Sequence, residues 1–214
     1  LLESGESERV RDKHLEYFLK LVEEAELKLR GATQLTWLNR LETEHDNLRA
    51  ALDWSQESER GAEWGLRLAA TLSPFWHIRG YLREGRERIS SALAHSQHLG
   101  RTVARGKAFC GGAMLAYRQS DYLVARPLAN EALAIYRELS DKQGIAEALS
   151  VLGYIAEEEG DFDTPAGLYK ETLALNRELE NERDIATALQ NLGWVALRLA
   201  VCRRTQFPIH ANLR

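Results

Sequence analysis

Residues 145–156, IAEALSVLGYIA, and residues 185–196, IATALQNLGWVA, decide the fold. Ile145, Leu149, Leu152 and Ala156 are spaced four, three and four apart, which puts them on one face of an α-helix. Ile185, Leu189, Leu192 and Ala196 repeat that face 40 residues later. A fixed internal period is the mark of a repeat architecture, in which each unit buries its apolar face against the next.

The same 40-residue shift organises the sequence on either side. It aligns Ser73, Ala113, Gly153 and Gly193, then Gly80, Ser120 and Gly160, then Gly85, Ala125 and Pro165, all small or turn-forming. Leu93, Leu133 and Leu173 form an apolar column, as do Leu99, Leu139 and Leu179, and Phe75, Leu115, Ile155 and Val195. A second helical stripe, Ala125, Leu128, Ala132, Ile135 and Leu139, follows the turn at Ser120, Asp121 and Tyr122. Each unit therefore reads as helix, tight turn, helix. The predicted fold is all-α, a right-handed α-solenoid of antiparallel helix pairs with a period of about 40 residues. Close approach within a pair is expected at Gly153, opposite Pro165 or its neighbours. Pro165 and Pro127 fall early in second helices, and Pro127, five residues past Tyr122, predicts a late helix start or a kink.

Upstream of residue 61 the register fades. Leu15, Phe18, Val22, Ala25 and Leu29 still form one helical stripe, ended by Gly31, and Leu38, Leu41, His45, Leu48 and Leu52 form another. The expected organisation is a degenerate helical pair over 1–60 and repeats over 61–199, divided at 61–100, 101–140, 141–180 and a partial 181–199. An irregular tail over 200–214 completes it. That tail, beginning Ala200-Val201-Cys202-Arg203-Arg204, lacks the turn and second helix the register requires, so the last first-helix is expected to expose an apolar face. The tail folding back, a second copy, or further repeats would cover it.

Composition narrows the function class. The chain has 214 residues, 44% of them hydrophobic, which is too apolar for disorder. Its net charge is −4, with acidic and basic residues interleaved along the helices, which argues against a phosphate-neutralising surface and so against direct nucleic-acid binding. Cys110 and Cys202 are far apart, and no signal peptide or membrane-length apolar span is present, so a cytoplasmic location and no membrane partner are expected. The chain starts at Leu1 without an initiator Met, as an excised piece of a longer protein would.

Asn191-Leu192-Gly193-Trp194, and Gly160-Asp161-Phe162 followed by Tyr169 and Leu173, resemble the tetratricopeptide signature, with Gly in the first helix and an aromatic in the second. The period is longer than that family's 34 residues, and Pro165 and Thr172 replace its customary alanines. More of the chain is similar to a narrower group. Trp37 to Leu52 (WLNRLETEHDNLRAAL), Phe75 to Tyr81 (FWHIRGY) and Glu84-Gly85-Arg86 resemble the MalT-like helical region of bacterial STAND-type, NB-ARC-containing transcriptional regulators, over roughly residues 1 to 199. The resemblance implies a nucleotide-switch domain upstream in the same polypeptide, and a repeat region that senses a signal.

Several motifs invite a chemical reading and fail it. Gly100 to Ala108 (GRTVARGKA) approaches a phosphate-binding loop, but it has five residues between its glycines instead of four and Ala108 where Ser or Thr would hold magnesium. His95 and His98 have a helical spacing with no third ligand nearby, and they sit at a helix C-terminus that favours positive charge. His45 occupies an apolar stripe, which suits a hydrogen-bonded, half-buried side chain, while Glu42, Glu44 and Asp46 read as the solvated face of that helix. No nucleophile and base can be assembled locally, so no enzyme activity, cofactor or metal site is expected.

The candidate site comes from the architecture. In tetratricopeptide arrays the first helices line the concave face. The residues one place after the small column, Pro74, Met114, Tyr154 and Trp194, then point into it, with Tyr117, Arg118, Glu157, Glu158, Gln190 and Arg198 on the same side. Packing of Tyr154 and Trp194 between neighbouring repeats is the alternative. The carboxylate clamp of some family members is missing, because Ala70, Cys110, Ser150 and Gln190 occupy its positions. The expected function is a non-catalytic binding module that takes a protein, a peptide or a small-molecule effector, as the sensor arm of a bacterial regulator, with self-association possible through its C-terminal end. A constitutive assembly scaffold is the alternative.

Overall fold

A computed structural model describes residues 5–58, 61–161 and 163–205. Among them are ten α-helices and no strand. The first five are α1 (Gly5–Lys28), α2 (Gln34–Thr43), α3 (His45–Glu57), α4 (Gly61–Arg79) and α5 (Leu82–His95), and a short 3₁₀ turn (Gln97–Leu99) follows them. The rest are α6 (Val103–Arg118), α7 (Tyr122–Glu138), α8 (Lys142–Glu158), α9 (Asp163–Glu178) and α10 (Glu182–Thr205). From α4 onward the helices pack as antiparallel pairs, α4 with α5, α6 with α7, and α8 with α9, and α10 lies on α9.

One device repeats at each joint from α6 to α10. The helix ends on a residue with left-handed backbone, Ser120, Ser140, Gly160 or Glu180, with φ between 53° and 80°. The next N–H then reaches back to a carbonyl five residues earlier: Asp121 to Ala116, Asp141 to Tyr136, Asp161 to Ala156 and Asn181 to Asn176, at 2.9–3.1 Å. This satisfies carbonyls the helix end would leave unbonded. The donating residue then starts the following helix. Asp141 accepts from the Gly144 N–H, Asp161 from those of Asp163 and Thr164, and Asn181 from that of Asp184. Only Gly160 adopts φ > 0 without a Cβ penalty; Ser120, Ser140 and Glu180 bear it.

The core has two parts. Buried side chains of α1 to α6 form one, centred on Leu66, Phe75 and Trp76; α6 to α9 form the other, centred on Tyr136, Leu149 and Ile155. Glycine sets the spacing where helices meet. At Gly153 an added Cβ would stand 2.4 Å from the ring of Tyr169, so the close approach inside the α8–α9 pair is to Tyr169 and not to Pro165. At Gly144 it would stand 2.2 Å from the ring of Tyr136.

Four local expectations change. The second N-terminal stripe is two helices, because Glu44 takes φ −91° and ψ 6° between α2 and α3. Bonds from Glu44 to Arg40 and from Leu48 to Glu44 continue across the joint, which is why the stripe continues in sequence. Second, α7 starts at Tyr122 with Pro127 inside it and no delayed start. Third, α10 runs through Leu199 to Thr205, so the first part of the expected irregular tail is helical; residues 206–214 lie outside the described residues, as does Phe162. Fourth, Glu42 is no bystander on a solvated face, because it accepts a hydrogen bond from the Tyr81 hydroxyl and lies 3.4 Å from Arg79 Nε.

Candidate functional site

The first helices α4, α6, α8 and α10 share one face, and a cavity of about 420 Å³ opens on it. All four helices line it. So do Glu26 near the end of α1 and Arg30 in the turn after it. The α1 helix holds the two halves of the molecule by different means. Leu15, Val22 and Ala25 bury it against α3 and α4. The reach to α8 and α10 is polar and runs through the turn that follows it: Arg30 pairs with Glu147 at 3.0 Å and with Asp184 at 3.8 Å, and Arg183 donates to the Arg30 carbonyl. Lys107 of α6 pairs with Glu26 at 2.6 Å and donates to the Thr71 hydroxyl at 3.0 Å. A second recess of about 660 Å³ shares Glu26 and Lys107 with the first.

Of the residues expected at the site, Met114 and Tyr154 line the cavity, together with Pro74 from the same column. Tyr117 stands beside it, its ring 5.9 Å from that of Tyr154, and Tyr154 is in turn 6.0 Å from Tyr169. Tyr154 thus does both things the sequence allowed: it packs between helix pairs and faces the cavity, and its hydroxyl accepts from Asn191 Nδ2 at 3.3 Å. Glu157 turns away to accept from the Tyr169 hydroxyl at 2.5 Å. Arg118 and Glu158 are exposed and do not line the cavity. Gln190, Trp194 and Arg198 are exposed on α10, where the Arg198 guanidinium lies 6.0 Å from the Trp194 ring. Trp194 is 53% exposed, on one side of α10 with Leu197 and Val201.

Periodicity does not single out Glu26, Arg30, Lys107, Arg183 and Asp184, which also line the cavity. Arg30 and Glu147 are 117 residues apart, and no periodicity relates them. Asn176 was findable, since the 40-residue shift aligns it with Tyr136 and Ser96.

Burial disfavours one chemistry at the cavity. Burial pushes the Cys110 thiol well above its ordinary range, so this lining residue is a neutral thiol and a poor nucleophile. Among the described residues no group of three His, Cys, Asp or Glu could hold a metal ion. The phosphate-loop lookalike is a helix start: Thr102 caps α6 by accepting the Arg105 N–H at 3.2 Å, and Gly106 lies under the Tyr136 ring. His45 is buried against Phe75 and Tyr81, 3.3 Å from Glu84. Burial and the charge of Arg118 hold the His77 pKa below its ordinary value.

No protein-family profile matches the chain. It is similar to proteins provisionally named HTH-type transcriptional regulators in Mycobacterium bovis and in two strains of Mycobacterium tuberculosis, each 34% identical over 163 residues. The match takes in 71% of this chain and 18% of each relative, so the chain spans about a fifth of the length of the regulators it resembles. Among solved structures, the crystal structure of BtubC (BKLC) from P. vanneervenii superposes with a TM-score of 0.64 at 17% identity, covering 95% of both chains. That likeness concerns the fold alone, and it supports a helical-repeat architecture for this chain.

Proposed function

We propose that this chain is the non-catalytic sensor arm of a bacterial transcriptional regulator, built of tetratricopeptide-like pairs, and that its inner face binds the signal. One observation carries this: a single cavity is walled by α1 and by all four first helices, so one occupant would touch every helix pair at once. An occupant favouring one relative placement of the pairs shifts the arm toward it, by as much as its affinities for the two placements differ. The regulator names of the relatives support a regulatory role, and the matched fifth of their length leaves room for a nucleotide switch and a DNA-binding part elsewhere. DNA contact is assigned to those other parts, in keeping with the net charge of −4 and the internally paired cavity charges.

The test places a photo-crosslinking amino acid at Thr187, an exposed cavity residue, and at Leu123, 90% exposed on the second helix α7, in cells making the natural protein. A discrete protein adduct, or a ligand mass retained on the native protein, at Thr187 and not at Leu123 is expected. Equal labelling at both positions, or none at Thr187, overturns the proposal. A constitutive scaffold is the second reading. It is favoured by the exposed side of α10 that carries Trp194, Leu197 and Val201, which offers an assembly surface apart from the cavity.

A further inference from the structure

The repeat departs from its own pattern where the cavity opens. The 40-residue shift places Ser96, Tyr136 and Asn176 at corresponding points near the ends of α5, α7 and α9, and all are buried. The first two have structural duties. Ser96 Oγ donates to the Ala92 carbonyl at 2.7 Å and accepts from Arg105, and the Tyr136 ring fills the space over Gly106 and Gly144. Asn176 has neither duty. Asp184 stands where the preceding unit has Gly144, no ring fills the gap, and α8 and α10 meet chiefly through α9. Asn176 lines the cavity at 2% exposure, and its Oδ1 is closed to solvent without a hydrogen-bond partner. Buried acceptors are almost always bonded, and an orphan here is a cost that a Leu or Tyr would remove.

A second group in the same corner is also unmatched. The lining carries three carboxylates, Glu26, Glu147 and Asp184, and three cations, Lys107, Arg30 and Arg183. Lys107 is paired with Glu26, and Arg30 with Glu147 and Asp184. Arg183 has no carboxylate in ion-pair range among the described residues; it donates only to the Arg30 carbonyl. A dianion such as a phosphate would meet Glu147 and Asp184, whereas a single carboxylate suits one free guanidinium. Met114, Val151 and Ala188 supply an apolar wall.

We infer that this corner binds a small amphiphilic acid of the α-amino or α-hydroxy acid class. Its carboxylate meets Arg183, its own N–H or O–H donates to Asn176 Oδ1, and its apolar body lies on Met114, Val151 and Ala188. This rests on the inner face being the binding surface, and it specifies the ligand's chemistry.

Calorimetric titration of the whole chain with four probes tests it: L-leucine, 2-hydroxy-4-methylpentanoate, 4-methylpentanoate, which lacks the donor, and leucinamide, which lacks the carboxylate. The first two should bind saturably and the last two at least about tenfold more weakly, because 4-methylpentanoate leaves the buried Asn176 Oδ1 unpaired and leucinamide gives up the charge-assisted pairing with the exposed Arg183. Asn176→Leu should melt no lower than the parent and bind leucine and 4-methylpentanoate equally. Arg183→Gln should weaken both acids and leave leucinamide unchanged. Absence of saturable binding by both leucine and its hydroxy analogue overturns the inference, as does full leucine affinity in Asn176→Leu or a lowered melting temperature that makes Asn176 structural. Such failure with Thr187 crosslinking intact removes this inference alone; failure of both removes the sensor reading beneath it.

Discussion

Gly153 and Gly193 hold the same place in successive repeats, and alanine at the two should have opposite effects. At Gly153 the new Cβ would lie 2.4, 2.6 and 2.9 Å from Cε1, Cζ and the hydroxyl of Tyr169. That ring cannot easily yield, being fully buried and tied to Glu157 at 2.5 Å. Overpacking of this kind costs ~1–3 kcal/mol, and the better helix propensity of alanine returns about 1 kcal/mol. A net loss of about 1 kcal/mol is expected. At Gly193 nothing lies within 4 Å of the new Cβ, so only the propensity acts. It should stabilise by about 1 kcal/mol. The two variants should therefore melt roughly 4–8 °C apart for a chain of this size, and urea titrations followed by far-UV circular dichroism should give the same order with unchanged m values. If Gly193→Ala destabilises like Gly153→Ala, something packs on the outer side of α10 and the open-face description is wrong. If Gly153→Ala is neutral, the Tyr169 ring is free to move and the close-approach argument fails.

Two further outcomes follow from buried or paired groups. In a Cys202→Ser background, Cys110 should resist a thiol reagent at mildly alkaline pH and react fully once urea unfolds the chain, because burial raises its pKa; rapid native labelling would mean the cavity floor opens readily. Glu84 accepts two hydrogen bonds at 2.7 Å from Arg49, whose guanidinium holds the carboxyl below its ordinary value of 4.5. A carboxyl depressed in the folded state stabilises fully above that value and progressively less as pH falls through its folded pKa. Arg49→Met should therefore flatten the loss of melting temperature on acidification below about pH 4.5, and an unchanged acid limb would count against the pairing.

Much of the fold was legible because its signals are local. Apolar spacings of three and four mark a helix whatever surrounds it, and the turn residues Ser120, Gly160 and Asp161 act through bonds to neighbours within five positions. Part of the site was legible for the same reason: Met114 and Tyr154 lie on a face that periodicity defines. The rest depends on the turn after α1 reaching α8 and α10 through Arg30, a contact between segments whose patterns carry no record of each other.

The near-duplicate stretches 145–156 and 185–196 mark the limit. Sequence alone made both into helices with the same apolar face, since backbone hydrogen bonding and side-chain spacing are settled within the segment. Tertiary structure gave those faces different fates. Leu149 is 0% exposed and Leu189, its counterpart, 48%. The Leu149 face has α9 to pack against, whereas among the described side chains of α10 only Ala188 and Val195 are buried, and Leu189 lies on a side with no helix on it among the described residues. Burial belongs to a pair of surfaces, and a sequence pattern specifies only one of them.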